Sequence, residues 1–233
     1  EHMTDKMIQI DADTYRLEDD FVRCFLLIGK ERALWLDSGA GRLDLPAIAA
    51  EYTSLPLMLL NTHGDGDHTA NNGAFAQYYV HQADYEGTGM RDRFPESTCS
   101  FIQDRDVIDL GGRPLEIIAI PGHTRGSVAV LDRTKRRLYS GDTVQNGNIF
   151  LFGKHRAPQL FASALDKLAA RKDDYDEIAA SHGEPILEAG YAEKVARRWK
   201  QVCEGEVEAR RENMFGTEIL CYQTDDCGFL CEE

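Results

Sequence analysis

Leu57-Met58-Leu59-Leu60-Asn61-Thr62-His63-Gly64-Asp65-Gly66-Asp67-His68-Thr69 is an apolar run that opens directly into four ligand-type side chains, His63, Asp65, Asp67 and His68, within six positions. Leu57 to Leu60 has the length and composition of a buried strand, so the imidazoles and carboxylates behind it are delivered together to its end. Crowding them there without a compensating charge is costly, because buried ions need partners. A bound cation is the simplest compensation. Gly64 and Gly66 are expected to let the chain turn tightly, since glycine accepts dihedrals that other residues avoid. A polar surface loop with two solvated histidines is the competing reading of the same stretch.

Three later islands weigh against that competitor. Ile117-Ile118-Ala119-Ile120 leads into Pro121-Gly122-His123, Arg137-Leu138-Tyr139-Ser140 into Gly141-Asp142, and Ile178-Ala179-Ala180-Ser181 into His182-Gly183. Each sets a His or an Asp beside a glycine at a strand end, where a loop projects it over the edge of a sheet. The candidate ligands are therefore His63, Asp65, Asp67, His68, His123, Asp142 and His182.

This order of motifs resembles the metallo-β-lactamase superfamily, and within it the glyoxalase II-like metallo-hydrolases. Leu36-Asp37-Ser38-Gly39 is similar to that family's strand-end Asp-[Thr/Ser]-Gly, with Asp37 as a carboxylate standing behind the ligands. The resemblance runs from about residue 5 to about residue 200. It implies an α/β fold, the αββα metallo-β-lactamase sandwich: two mixed β-sheets packed face to face with outer helices. It also implies two divalent metal ions, one held by His63, Asp65 and His123, the other by Asp67, His68 and His182, with Asp142 bridging. Asp65 departs from the pattern, because most members carry histidine there. Flavodiiron proteins carry Glu at that position and bind iron, so the departure opens the identity of the metal. Zinc is the first expectation, with iron or manganese favoured more than at a three-histidine site, since a carboxylate hardens the ligand set.

The activity implied is binuclear metal-dependent hydrolysis of a small ester, lactone or thioester by a metal-bridging hydroxide, with Asp67 as the catalytic residue that orients the water or takes its proton. A flavodiiron-like di-iron redox enzyme lacking its own flavodoxin domain is the alternative, suggested by Asp65. A non-catalytic metal-binding module is the second alternative. In the stretch from Gln145 to Gln159, read as an ordered loop, Lys154, His155 and Arg156 are either a solvated basic patch or residues that meet an anionic substrate group.

Composition narrows the partners. The chain has 233 residues, is 42% hydrophobic and carries a formal charge of −14, which suits a folded domain with a sizeable core and not a nucleic-acid binder, whose grip needs clustered Lys and Arg. A small-molecule substrate is expected, with no nucleic acid and no membrane. No uncharged window reaches the length of a membrane span, and no signal peptide precedes Met3, read as the native start behind a Glu1-His2 cloning remnant. With six cysteines and no leader, a reducing cytoplasm is the expected location.

Two strand-rich blocks, each trailed by helix, point independently to two packed sheets with helices outside. Strands are predicted over Gln9 to Tyr15, Phe21 to Ile28 and Ala33 to Leu36, and helices over Leu45 to Tyr52, Leu160 to Lys172 and Gly190 to Glu212. The domain is drawn as 1–212, followed by a C-terminal Cys-containing tail over 213–233. That tail is too apolar to be simply disordered and should cover another surface, its own or that of a second subunit, which leaves a homodimer open. Cys221, Cys227 and Cys231 are spaced too widely for a strong zinc-clip reading, and His81 is expected to be a half-buried neutral imidazole and not a ligand.

Overall fold

The computed structural model describes residues 6–232, so the start read at Met3 lies outside the described residues. Strands β1 (Met7–Asp11), β2 (Thr14–Asp19), β3 (Val22–Ile28), β4 (Ala33–Leu36), β5 (Leu57–Leu60), β6 (Tyr78–His81) and β7 (Cys99–Ile102) form a seven-stranded sheet in that order. Its first four strands run antiparallel and its last four parallel. A six-stranded sheet follows from β8 (Val107–Asp109), β9 (Pro114–Ala119), β10 (Val128–Asp132), β11 (Arg137–Tyr139), β13 (Glu177–Ala179) and β14 (Ile186–Glu188), ordered β14-β13-β11-β10-β9-β8. β12 (Asn148–Leu151) belongs to a third, four-stranded sheet with β15 (Ala209–Met214), β16 (Thr217–Gln223) and β17 (Gly228–Glu232).

The period-two alternation of strand side chains explains how the layers stack. Phe25 and Leu27 of β3 and Leu34 and Leu36 of β4 face Ile117 of β9 and Val128 and Val130 of β10, forming the core between the two large sheets. Their neighbours Leu26 and Trp35 point the other way, onto α1 (Leu45–Ala50). Ile118, Ala129 and Leu131 turn outward onto α5 (Pro158–Ala169) and α6 (Tyr191–Cys203). Because both faces of the central strands are covered, they read as continuous apolar runs. The result is the expected αββα sandwich, with the third sheet added against α5 and α6.

Several local expectations are corrected. The single strand expected over Gln9 to Tyr15 is two strands, folded back where Asp11 Oδ1 accepts the Asp13 N–H at 3.2 Å. Such Asx turns compete with a continuing ladder. The helix expected to reach Glu212 stops at Cys203, where Gly205 takes φ +76 and its N–H returns to the Val202 carbonyl. That is a glycine stop. The loop expected from Gln145 to Gln159 contains β12, which pairs in parallel with β17. The boundary drawn between 212 and 213 falls inside β15, and Phe229 and Cys231 pack on the cluster that contains Phe161 and Trp199.

Five strands of the two large sheets end at one edge. β4 and β5 are parallel, β11 and β13 are parallel, and β9 runs in the same sense as β11 through antiparallel β10. The loops behind them carry Asp37, the run from His63 to His68, His123, Asp142 and His182.

Candidate metal centre

Behind β4, Asp37 adopts φ 64, a conformation an ordinary side chain avoids unless its surroundings impose it. The surroundings are Thr62 and His68. Asp37 Oδ1 accepts the Thr62 N–H at 2.7 Å, and Oδ2 accepts both Thr62 Oγ1–H at 2.7 Å and His68 Nδ1–H at 2.8 Å. Since Thr62 spends its hydroxyl proton on Asp37, it accepts from His63 Nδ1, 3.0 Å away. His123 Nδ1 donates to the Phe150 carbonyl and His182 Nδ1 to the Phe21 carbonyl, each at 2.8 Å. All four rings are thereby turned the same way, with Nε2 facing inward, which is how imidazoles are oriented behind a metal.

The seven candidate side chains meet in two groups. Asp67, His68, Asp142 and His182 offer ligand atoms all within 4.8 Å of one another, as do His63, Asp65 and His123. Asp142 touches both: Oδ1 lies 3.2 Å from His68 Nε2, while Oδ2 lies 3.2 Å from His182 Nε2, 3.5 Å from His123 Nε2 and 3.9 Å from His63 Nε2. The structure thus brings together every residue in the candidate ligand set. Neither group contains a cysteine, so among the described residues Cys221, Cys227 and Cys231 build no cluster of three ligands. His81 instead caps α3 (Gln82–Gly87), its Nδ1 accepting the Ala83 N–H at 3.2 Å.

The chemistry of this donor set fits a divalent cation. His68 Nε2 and His182 Nε2 stand 3.3 Å apart, and His63 Nε2 and His123 Nε2 3.2 Å apart, with the Nδ1 hydrogens committed outward. Ring nitrogens so opposed need a positive charge between them, a proton or a metal ion. Asp142 Oδ1 is buried and accepts no well-formed hydrogen bond, His68 Nε2 at 3.2 Å being the group that faces it, so a proton or a cation between the two is what offsets its burial. Burial raises the Asp142 carboxyl, but His68, His182 and His63 outweigh it and hold the group well below the usual carboxylate range. Burial would lower His182, yet Asp142 and Asp67 push it up to about 10. His68 is likewise raised, against burial, by Asp142, Asp37 and Asp67. A metal bound by this group would have to displace those protons.

His123 goes the other way: burial and then the neighbouring Arg156 lower it. Of the basic trio in the loop, Lys154 is exposed, His155 Nε2 lies 3.2 Å from Asp65 Oδ1, and Arg156 is turned onto Asp65 and His123. Gly64 and Gly66, expected to turn through unusual dihedrals, have no positive φ. Gly64 is needed for space instead, because a Cβ there would collide with the Thr88 side chain, whereas Gly66 simply opens the short helix α2 (Gly66–Thr69).

Asp84 lies outside every motif in the sequence. Fully buried, it accepts the Gly64 and Gly126 N–H groups at 2.7 and 2.6 Å and the Thr124 hydroxyl at 2.7 Å, strapping the His63 loop to the His123 loop. Read along the chain it is a lone acid in a polar helix, with no signal that would single it out.

Residues 21–182 match the Metallo-beta-lactamase superfamily model, and the chain belongs to that superfamily. It is similar to the human acyl-coenzyme A thioesterase MBLAC2, 27% identical over an alignment of 164 positions that covers 54% of this chain and 59% of that protein. It is also similar to a hydroxyacylglutathione hydrolase from Synechococcus sp., 28% identical over 68% of this chain and 62% of that protein. The chain thus spans about three fifths of the length of these curated relatives. Among solved structures, a metallo-beta-lactamase family protein from Thermus thermophilus superposes with a TM-score of 0.71 over 85% of this chain and 83% of its own, at 18% identity. Metallo-beta-lactamase IND-7 superposes with 0.68 over 83% and 97%, at 17% identity. At those identities the likeness concerns the fold.

Proposed function

We propose that this chain is a metal-dependent hydrolase of a small thioester, with ester and lactone as the neighbouring substrate classes. The observation that carries the reading is the inward convergence of four Nε2 atoms and three carboxylates, each ring locked from behind. Two divalent ions would be held by the two groups, one by His63, Asp65 and His123 and the other by Asp67, His68 and His182, with Asp142 in reach of both and zinc the first candidate. When bound, they would supply Lewis acidity at the carbonyl and make water more acidic. The names of the two curated relatives, a thioesterase and a hydroxyacylglutathione hydrolase, support putting thioesters first.

The chain's own groups supply the rest. Asp67 is half-buried and stays ionised: burial raises its carboxyl, but His68 and His182 lower it further. Its Oδ2, 3.3 Å from His182 Nε2, is the acceptor for a proton from water. Water oxygen adds to the acyl carbon, the carbon–sulfur bond breaks, and the thiol leaves with the proton. Phe21, 60% exposed and stacked at 6.1 Å on the His182 ring, stands at the rim as an apolar wall.

The test is a panel of acyl thioesters, aryl esters and lactones, run on protein stripped by a chelator and then given zinc, manganese or iron without reductant. Turnover lost on stripping and regained with the ion supports the hydrolase. Oxygen consumption that needs iron and an electron donor, with no hydrolysis, would replace it by the di-iron redox reading. Metal uptake with neither activity would leave the non-catalytic module.

A further inference from the structure

The two groups of ligands are not equivalent, because one already holds a cation of the protein's own. Arg156 Nη2 lies 2.8 Å from Asp65 Oδ2, and Nη1 lies 3.0 Å from His123 Nε2 and 3.2 Å from the His123 carbonyl. Since His123 Nδ1 donates to Phe150, its Nε2 carries the lone pair, and Nη1–H donates into it. The guanidinium therefore occupies two of the three ligand atoms that the first group offers. Its side chain is only 9% exposed.

The placement is built. Arg156 sits between two backbone bonds to the His123 loop, Arg125 N–H to the His155 carbonyl at 3.1 Å and Ala157 N–H to the Gly122 carbonyl at 2.8 Å. The remaining oxygen of Asp65 is taken by His155. Nothing comparable exists on the other side: among the described residues, Asp67 and Asp142 have ion-pair partners only among the histidines. The motif departure and the basic loop explain each other. A histidine at position 65 would offer Arg156 no charge, whereas Asp65 makes a charge-assisted pair with it.

We infer that Arg156 is an internal competitor for the first metal position, so that the protein loads its ions unequally: tightly at Asp67, His68, Asp142 and His182, and more weakly at His63, Asp65 and His123, where the ion must displace the guanidinium. This rests on the metal-binding reading proposed above. Arg156 is a positioning residue, and the experiment does not depend on turnover.

Stripped protein of this sequence is titrated with zinc against a chromophoric chelator, as wild type, Arg156→Met and Arg156→Lys. Wild type shows two classes of site. Arg156→Met tightens the weaker class by about tenfold or more, the equivalent of displacing one charge-assisted pair, and leaves the tighter class unchanged. Arg156→Lys keeps a charge near Asp65 and stays closer to wild type, which guards against a Met variant that fails to fold. A single class in wild type, or two classes that neither variant alters, overturns the competitor while leaving metal binding intact. Absence of zinc binding in all three proteins overturns the metal-binding reading and the competitor with it.

Discussion

Thr62 and Asp37 do for the imidazoles what no ligand can do for itself: they fix the ring planes from behind. Asp37→Ala frees His68 from its 2.8 Å bond and Thr62 from both of its own, so zinc affinity should fall about 10–100-fold while the fold persists. A chelator-competition titration reads this, and an unchanged affinity would show that His68 is held by packing alone. The raised His182 makes a second prediction. Its proton must leave before Nε2 can bind a metal, and the group is held up at about 10, so apparent affinity should climb with pH through the neutral range and level off only above that value. Dissociation constants at about pH 6 and pH 8 that agree would contradict it. Residues flanked by strand and glycine were legible in the sequence, because the same short pattern both builds the turn and carries the ligand. Asp84 and the turn of Arg156 onto Asp65 were not, since each depends on a loop distant in the chain arriving alongside.

The elements that hold the edge in place make their own predictions. Glu116 on β9 receives Arg171, which follows α5, at 3.0 Å, and Arg133 at 2.9 Å. Arg171 and Arg133 together hold its carboxyl at about 2 against an ordinary 4.5. A depressed carboxyl stabilises the fold above its unfolded value, and the contribution is lost as pH falls from about 4.5 to about 2. Glu116→Gln should therefore cost about 1–2 kcal/mol at neutral pH and flatten the acid limb of stability over that window. Denaturant titrations at several pH values check it, and an unaltered acid limb would place the acid dependence elsewhere. Most strands were readable because their apolar runs are covered on both faces. The elements misread were those ended or started by local chemistry: the Asp11 turn, the Gly205 stop, and β12, whose partner β17 lies far along the chain.

For the molecule as a whole, the third sheet joins the C-terminal segment to the loop that carries His155 and Arg156. β17 pairs with β12, and Phe229 rests on Trp199 at 5.2 Å and Phe161 at 6.3 Å between ring centres. Phe229→Ala should cost about 3–5 kcal/mol, read as a lowered denaturation midpoint. A cost below about 1 kcal/mol would mean this sheet contributes little to the fold. None of the described helices is long and apolar enough to cross a membrane. The sandwich itself was legible from the order of strand blocks and helices, whereas the third sheet was hidden behind a charged strand, β15, whose Arg210, Arg211 and Glu212 read as the end of a helix. The most direct test of the account is thioester hydrolysis by metal-stripped protein as zinc is added back in small steps, with bound metal counted in the same samples. No turnover is expected without metal, and the rate should follow the bound ion. Full turnover by metal-free protein, or a fully loaded protein that cleaves no thioester, ester or lactone, would contradict it.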